Sequence, residues 1–309
     1  MDDNRSERLQ AVKHAIARNQ PSGSKTPQQV RARLRAAVET LPRLEQVVVE
    51  PITIGKMYGE RVRHVTMKEA EGPPNILLYV HGGGFIAGDC ATYRDVAGRL
   101  AKTIGAAVVT FEYRLAPEHR YPAANEDAYF AYSDLLEQGY MPSQIVLGGD
   151  SAGATLALMT LLRLRDEGRP MPAGAVLISP HTDLIHLAGE SYRTNAELDP
   201  AGSKAANQAM LAAYWGREDE PPAVIFDLLQ ANWGGMPPMF IQAGSCELLL
   251  SDAVRLAGRL RESGTRAELD IIPEMWTAFN MLAGVLPEAS EAYDRIGGFV
   301  RRVLGGHPA

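Results

Sequence analysis

By type and spacing, the residues best suited to chemistry are Gly149-Asp150-Ser151-Ala152-Gly153. Gln144–Leu147, just before them, is a short apolar run that reads as a buried parallel strand. Ala152–Asp166, just after, is apolar almost all round as far as Leu164 and reads as a buried helix. A strand that turns sharply into a helix leaves its central residue on a tight bend, where only small neighbours fit. Gly149 and Gly153 are such neighbours, and the Ser151 hydroxyl is then pushed out at the strand's carboxyl end in front of a helix amino terminus. A glycine-rich turn with an incidental serine has the same five letters. The strand before and the helix after favour the chemical reading.

A second group stands upstream, at His81-Gly82-Gly83-Gly84-Phe85, directly after the apolar run that ends at Val80. Three consecutive glycines leave backbone N–H groups unshielded and let the chain bend around a small anion. Gly82, Gly83 and Gly84, with the Ala152 N–H, therefore read as an oxyanion hole. The other reading is a flexible turn, which weakens because both segments follow strands and would open on the same sheet edge. The His81 side chain reads as structural, bracing the loop by hydrogen bonds.

These groups need a scaffold. From residue 75 strands and helices alternate. Strands are expected at Asn75–Val80, Ala106–Tyr113, Gln144–Leu147, Ala173–Ser179, Met239–Ala243 and Ala267–Ile272, and helices at Ala91–Ile104, Asn125–Gln138, Ala152–Asp166, Asp252–Ser263 and Pro287–Leu304. Gly105, Gly139 and Gly264 stand where helices should stop. Such alternation means an α/β fold, a mostly parallel sheet with helices on both faces. Gln46–Ile54 and Arg61–Lys68 read as a hairpin-like start to that sheet. Before it come two amphipathic helices. Residues 6–19 carry Leu9, Val12 and Ile16 at helical spacing, a loop spans Pro21–Pro27, and Thr26-Pro27 with Gln29 forms a capping box. Residues 183–235 break the rhythm, with two short helical stretches and a Pro221-Pro222 break. Together with residues 1–45 they read as a cap over the sheet's carboxyl ends, where open α/β sheets bind ligands. Met210, Leu211 and Trp215 in that interval read as packing or as the lining of an acyl pocket.

The bulk numbers exclude several classes. At 309 residues and 46% hydrophobic, the chain can build one large core, and a net charge of -6 without a basic run argues against nucleic acid as a partner. Cys90 and Cys246 form no metal or disulfide pattern. No apolar run is long enough to span a bilayer, and the amino terminus is charged without an apolar signal core, so the expected location is cytoplasmic.

The motifs His81-Gly-Gly-Gly-Phe85, Tyr113-Arg-Leu-Ala-Pro-Glu-His-Arg-Tyr-Pro-Ala123 and Gly149-Asp-Ser-Ala-Gly153 occur in that order, and from about Pro51 to the last helix the chain resembles the bacterial esterase branch of the hormone-sensitive lipase family of α/β hydrolases. The resemblance implies a carboxylesterase acting on short- to medium-chain acyl esters, beneath a helical cap and without a cofactor. It implies that Arg114 and Glu118 brace the oxyanion loop, and that a homodimer forms through an edge strand. It places the family's acid at Glu247, in Gly244-Ser-Cys-Glu-Leu-Leu-Leu-Ser-Asp252; Asp252 is the runner-up and reads instead as a cap for the next helix. Cys246 beside it reads as a packed thiol.

The chain departs from the family at the base. The triad order in this fold is serine, acid, histidine. Pro273-Glu-Met-Trp-Thr-Ala-Phe-Asn280 puts Thr277 at the histidine position, and beyond Glu247 only His307 remains, in the tail. His119, His181 and His186 precede the acid. A threonine hydroxyl is not basic enough to take the Ser151 proton near neutral pH, so the scaffold implies an ester hydrolase and this chain a crippled one. Two further readings stay open: a binding protein that holds an ester-like or acidic small molecule without cleaving it, and a mechanism in which Glu247 or a trapped water replaces the imidazole.

Overall fold

Residues 2–18, 26–67, 74–216 and 226–305 are described by the structure, a computed structural model. Parts of the 21–27 loop, Lys68, the Pro221-Pro222 break and His307 lie outside the described residues.

Eight strands form one sheet: β1 (Val47–Ile54), β2 (Met57–His64), β3 (Ile76–Val80), β4 (Ala107–Phe111), β5 (Ile145–Asp150), β6 (Gly174–Ile178), β7 (Met239–Gly244) and β8 (Ala267–Ile272). Their order is β1-β2-β4-β3-β5-β6-β7-β8. β1 and β2 pair antiparallel, as do β2 and β4; every later pair is parallel. β3 to β7 are buried along their whole length, as expected for strands covered on both faces. Alternate residues of β3 serve opposite layers. Ile76, Leu78 and Val80 join α4 (Ala123–Glu137), α5 (Ala152–Asp166) and α8 (Leu250–Glu262). Leu77 and Tyr79 join α3 (Cys90–Ile104) and α9 (Pro287–Leu304).

Two strands differ from the sequence expectation by three residues or more at one end or both. The second strand starts at Met57 and ends at His64, where Arg61–Lys68 was expected. Gly55 at φ 58° turns the chain so that Ile54 pairs Met57. Gly59 is where β2 closes on β4: a Cβ there would lie 2.7 Å from Thr110 O. β5 also runs three residues past Leu147, because Gly148, Gly149 and Asp150 stay in register with Val176, Leu177 and Ile178.

The amino-terminal helices settle on different parts of the domain. α1 (Asp2–Arg18) sends Leu9 into the α3/α9 layer, and its Arg5 and Arg8 bond Glu288. α2 (Pro27–Glu39) has the expected capping box and lies on the loop after the glycine run, where Arg31 donates to Ile86 O, Ala116 O and Glu118. The 183–235 insertion carries α6 (Ser191–Thr194) and α7 (Lys204–Trp215), with one isolated bridge, Asp183 to Asp227, closing its base. α7 is mostly exposed, but its Tyr214 is buried and stacks on Phe85 at 3.9 Å between ring centres.

The tightest point of this packing is Gly153. A methyl group there would overlap Val80 O and His81 O, both backbone atoms that cannot move aside. Gly153→Ala is therefore expected to lower stability by about 3 kcal/mol in urea unfolding; a loss under about 1 kcal/mol would mean that the β3–α5 contact is looser than described.

Candidate active site

Ser151 occupies the turn between β5 and α5 with φ 50° and ψ −121°, a conformation costly for a residue with a side chain. The surroundings fix it. Its N–H donates to Ile178 O at 2.8 Å, its carbonyl accepts from Thr155 N, and Gly149 and Gly153 allow Val80 O to sit against the bend. Ser151 is partly exposed although its neighbours Asp150 and Ala152 are buried.

The glycine loop approaches this turn through one carboxylate. Asp150 Oδ1 accepts from Gly82 N and Tyr79 OH, both at 2.9 Å, and Oδ2 accepts from Tyr93 OH at 2.9 Å. Burial pushes Asp150 up to about 6, and the three donors oppose that shift. A Cβ on Gly82 would overlap this carboxylate. The Gly82 N–H is thus committed to Asp150, which corrects the expectation that all three glycines present donors to an anion. The N–H groups of Gly83, Gly84 and Ala152 donate to no backbone or side-chain acceptor among the described residues. Gly83 at φ 115° and Gly84 at φ 63° adopt turns that a side chain would strain. Met210 of α7 lies against Gly84, at the place a Cβ would occupy, so the insertion roofs the loop.

His81 is a brace, as expected. It is fully buried, stacks on Tyr113 at 4.1 Å and has Nδ1 2.9 Å from Gly82 O, while Tyr113 OH donates to its carbonyl. Burial lowers its pKa to about 4, so it stays neutral. Glu118 holds Arg31, which caps Ile86 O just past the glycines. Arg114 instead grips Asp127 of α4, a step away from the loop.

Glu247 follows β7 and is fully buried. Ser179 Oγ donates to its Oε2 at 2.7 Å, and Oε1 has no partner among the described residues. Burial pushes its pKa up to about 8; Asp199 adds to that and Ser179 opposes it. Thr277 lies on the adjacent loop, since Cys246 N donates to Met275 O at 2.8 Å. Its hydroxyl, however, donates to Asp199 Oδ2 at 2.6 Å. The same oxygen accepts from Leu248 N at 2.9 Å, so Asp199 bridges the two loops. Asp199 escaped the sequence reading. Its signal, Asp199-Pro200-Ala-Gly202, is that of an ordinary turn, and both following N–H groups do bond its Oδ1.

The remaining candidates disperse. Asp252 sits in the first turn of α8 but does not cap it: Oδ2 accepts from Thr182 N and Asp183 N, and Oδ1 from Arg255. It anchors the root of the insertion, whose first residue, Asp183, is one of these donors. His181 is buried against Tyr192 OH, while His119 and His186 are exposed.

The raised carboxyl of Glu247 has a consequence for stability. Its neutral form is favoured in the folded state, so its contribution is fully present below the ordinary carboxylate range and is lost as pH rises to about 8. Urea unfolding across pH 5 to 8 is expected to show falling stability, and Glu247→Gln should flatten that slope by up to about 1.4 kcal/mol per pH unit. An identical slope in the variant would place an ionised carboxylate at 247.

A model of the alpha/beta hydrolase fold matches residues 77–281. An acetyl-hydrolase of Streptomyces hygroscopicus is 37% identical over 82% of this chain and 83% of its own length. An esterase of Acinetobacter venetianus is 33% identical over 88% of each. Among solved structures, an esterase from the bacterial hormone-sensitive lipase family superposes with a TM-score of 0.90 at 34% identity, covering 97% of this chain and 99% of the other. With this sheet order, this serine turn and these matches, the chain belongs to the alpha/beta hydrolase fold family, as a hormone-sensitive-lipase-like member.

Proposed function

We propose that the protein is a serine carboxylic-ester hydrolase for short- to medium-chain acyl esters, working through an acyl-enzyme and slowed by the threonine at position 277. The observation that carries this reading is the strained Ser151 turn beside the uncommitted N–H groups of Gly83, Gly84 and Ala152. The names of the relatives, esterase and acetyl-hydrolase, support the same reaction class.

In this reading Ser151 Oγ attacks the ester carbonyl. Negative charge develops on the carbonyl oxygen and is met by the three N–H groups. The Ser151 proton passes by way of solvent water to the alkoxide, which leaves as the alcohol; a second water then adds to the acyl carbon, and its proton returns to Ser151 Oγ as the acid is released. Glu247 stands at the acid position and Thr277 at the base position. In this reading residues 1–45 and 183–235 are the cap; among their described residues Met210 lies against Gly84, and the Trp215 and Phe226 rings pack on each other and on Tyr121. A hydroxyl at 277 leaves the serine without a base. What remains is the rate supplied by charge stabilisation and binding, on the order of 10^3–10^4 over water and far below a complete triad.

A second reading, a small-molecule binder without turnover, is favoured by one observation: the Thr277 hydroxyl is spent on Asp199. A binder has no use for a strained serine and free oxyanion donors, so the enzyme reading is preferred.

Thr277→His, assayed with p-nitrophenyl butyrate, is expected to raise kcat by about 10^3-fold or more. An unchanged rate together with tight, unhydrolysed binding of an ester would favour the binder. Ser151→Ala should remove whatever turnover the unaltered chain shows; persistence would put that turnover elsewhere on the protein.

A further inference from the structure

We infer that Tyr214, on helix α7 of the insertion, is the residue that aims the Gly84 N–H, by holding the turn after the glycines through the ring of Phe85. This deepens the hydrolase reading and rests on it. The turn is specific. Gly83 O accepts from Ile86 N at 3.2 Å and from Ala87 N at 3.0 Å. The two residues between, Gly84 at φ 63° and Phe85 at φ 65°, both lie in the left-handed region. Positive φ at both central positions is the pattern of a type I′ turn, which favours glycine, asparagine or aspartate at each of them. The Gly83–Gly84 peptide is trans and planar, so its N–H points opposite to its carbonyl. While Gly83 O faces Ile86 and Ala87, the Gly84 N–H is turned away from them, and it donates to no backbone or side-chain acceptor among the described residues.

Glycine suits its place in this turn; phenylalanine does not. A bulky residue at positive φ is a backbone outlier and persists only where its surroundings hold it. Two contacts hold this one. Ala116 N donates to Phe85 O at 2.9 Å, and the buried ring lies on that of Tyr214, with centres 3.9 Å and planes 9° apart. Met210, four residues before Tyr214 on the same face of α7, lies against Gly84. One helix face thus covers both central residues of the turn. Tyr214 is itself fixed to the body of the domain: its hydroxyl donates to Asn125 Oδ1, and its carbonyl accepts from Tyr121 N at 2.9 Å. Tyr214 is a positioning residue, because it acts through Phe85. Without the stacked ring the turn relaxes toward negative φ, and the Gly84 N–H leaves the direction in which it meets charge developing on the carbonyl oxygen.

The test compares two variants of the full chain. Tyr214→Leu removes the stacked ring; Tyr214→Phe keeps the ring and loses only the bond to Asn125. The first readout is amide hydrogen exchange at Ile86 and Ala87, the donors that close the turn. Both are expected to exchange about tenfold faster or more in Tyr214→Leu, with the amides of β5 close to parental, and to stay parental in Tyr214→Phe. A general loss of stability would move β5 along with the turn. The second readout is the rate constant for capture of a fluorophosphonate ester, in which Ser151 Oγ bonds phosphorus, fluoride leaves and the serine proton passes to water. It is expected to fall about tenfold or more in Tyr214→Leu, with one adduct per chain still reached, and to stay within about twofold of the parent in Tyr214→Phe. Parental exchange at 86 and 87, parental capture by Tyr214→Leu, equal losses in both variants, or acceleration spread evenly over β5 overturns the inference. A parent chain that captures no reagent contradicts the hydrolase reading instead, and the exchange comparison still decides whether Tyr214 holds the turn. Should Tyr214→Leu fail to fold, Phe85→Leu removes the same stack from its other side and is held to the same two outcomes.

Discussion

The site depends on one buried carboxylate. Asp150 precedes the strained serine, and its two oxygens take a backbone N–H from the glycine loop and two tyrosine hydroxyls from the layer behind the sheet. Serine turn and glycine loop follow neighbouring strands, β5 and β3, and Asp150 ties them to each other. A buried carboxylate is costly unless its oxygens are satisfied, and three donors at 2.9 Å satisfy this one. The interaction is therefore specific as well as stabilising: Gly82 must stay a glycine and must stay close. The consequence is that the Gly82 N–H is committed to Asp150, while those of Gly83 and Gly84 donate to no acceptor among the described residues.

The insertion is fastened to the same edge by carboxylates of its own neighbourhood. Asp252 holds the N–H groups of residues 182 and 183 at its root, Asp199 holds the loops after β7 and β8, and Met210 closes over Gly84. Two of these fastenings reach loops that carry candidate site residues: Asp199 those of Glu247 and Thr277, and Met210 that of Gly84. One segment thus contacts both the glycine loop, through Met210, and the hydroxyl of residue 277, through Asp199.

Much of this was legible in the residues. The order of strands and helices after residue 75, the serine turn, the glycine loop and the bracing role of His81 all follow from local rules about small residues, apolar runs and helix stops. What escaped depends on contacts between distant segments. The start of β2 at Met57 is set by its pairing with β1 and β4, and Gly148 and Gly149 look like the end of a strand until β6 keeps them paired. Asp199 looks like a turn residue, because nothing in Asp199-Pro200 says that Leu248 and Thr277 will reach it. Asp252 looks like a helix cap because its position in the chain suits one, yet backbone donors some 70 residues upstream take its Oδ2 and Arg255 takes its Oδ1.

The most direct test of the account is covalent labelling of the unaltered chain with a fluorophosphonate ester, read by intact mass and peptide mapping. A serine held outward in front of free N–H groups should capture the phosphorus slowly, giving one adduct per chain, on Ser151. A chain that stays unmodified on prolonged exposure, or that carries its adduct on another residue, would contradict it.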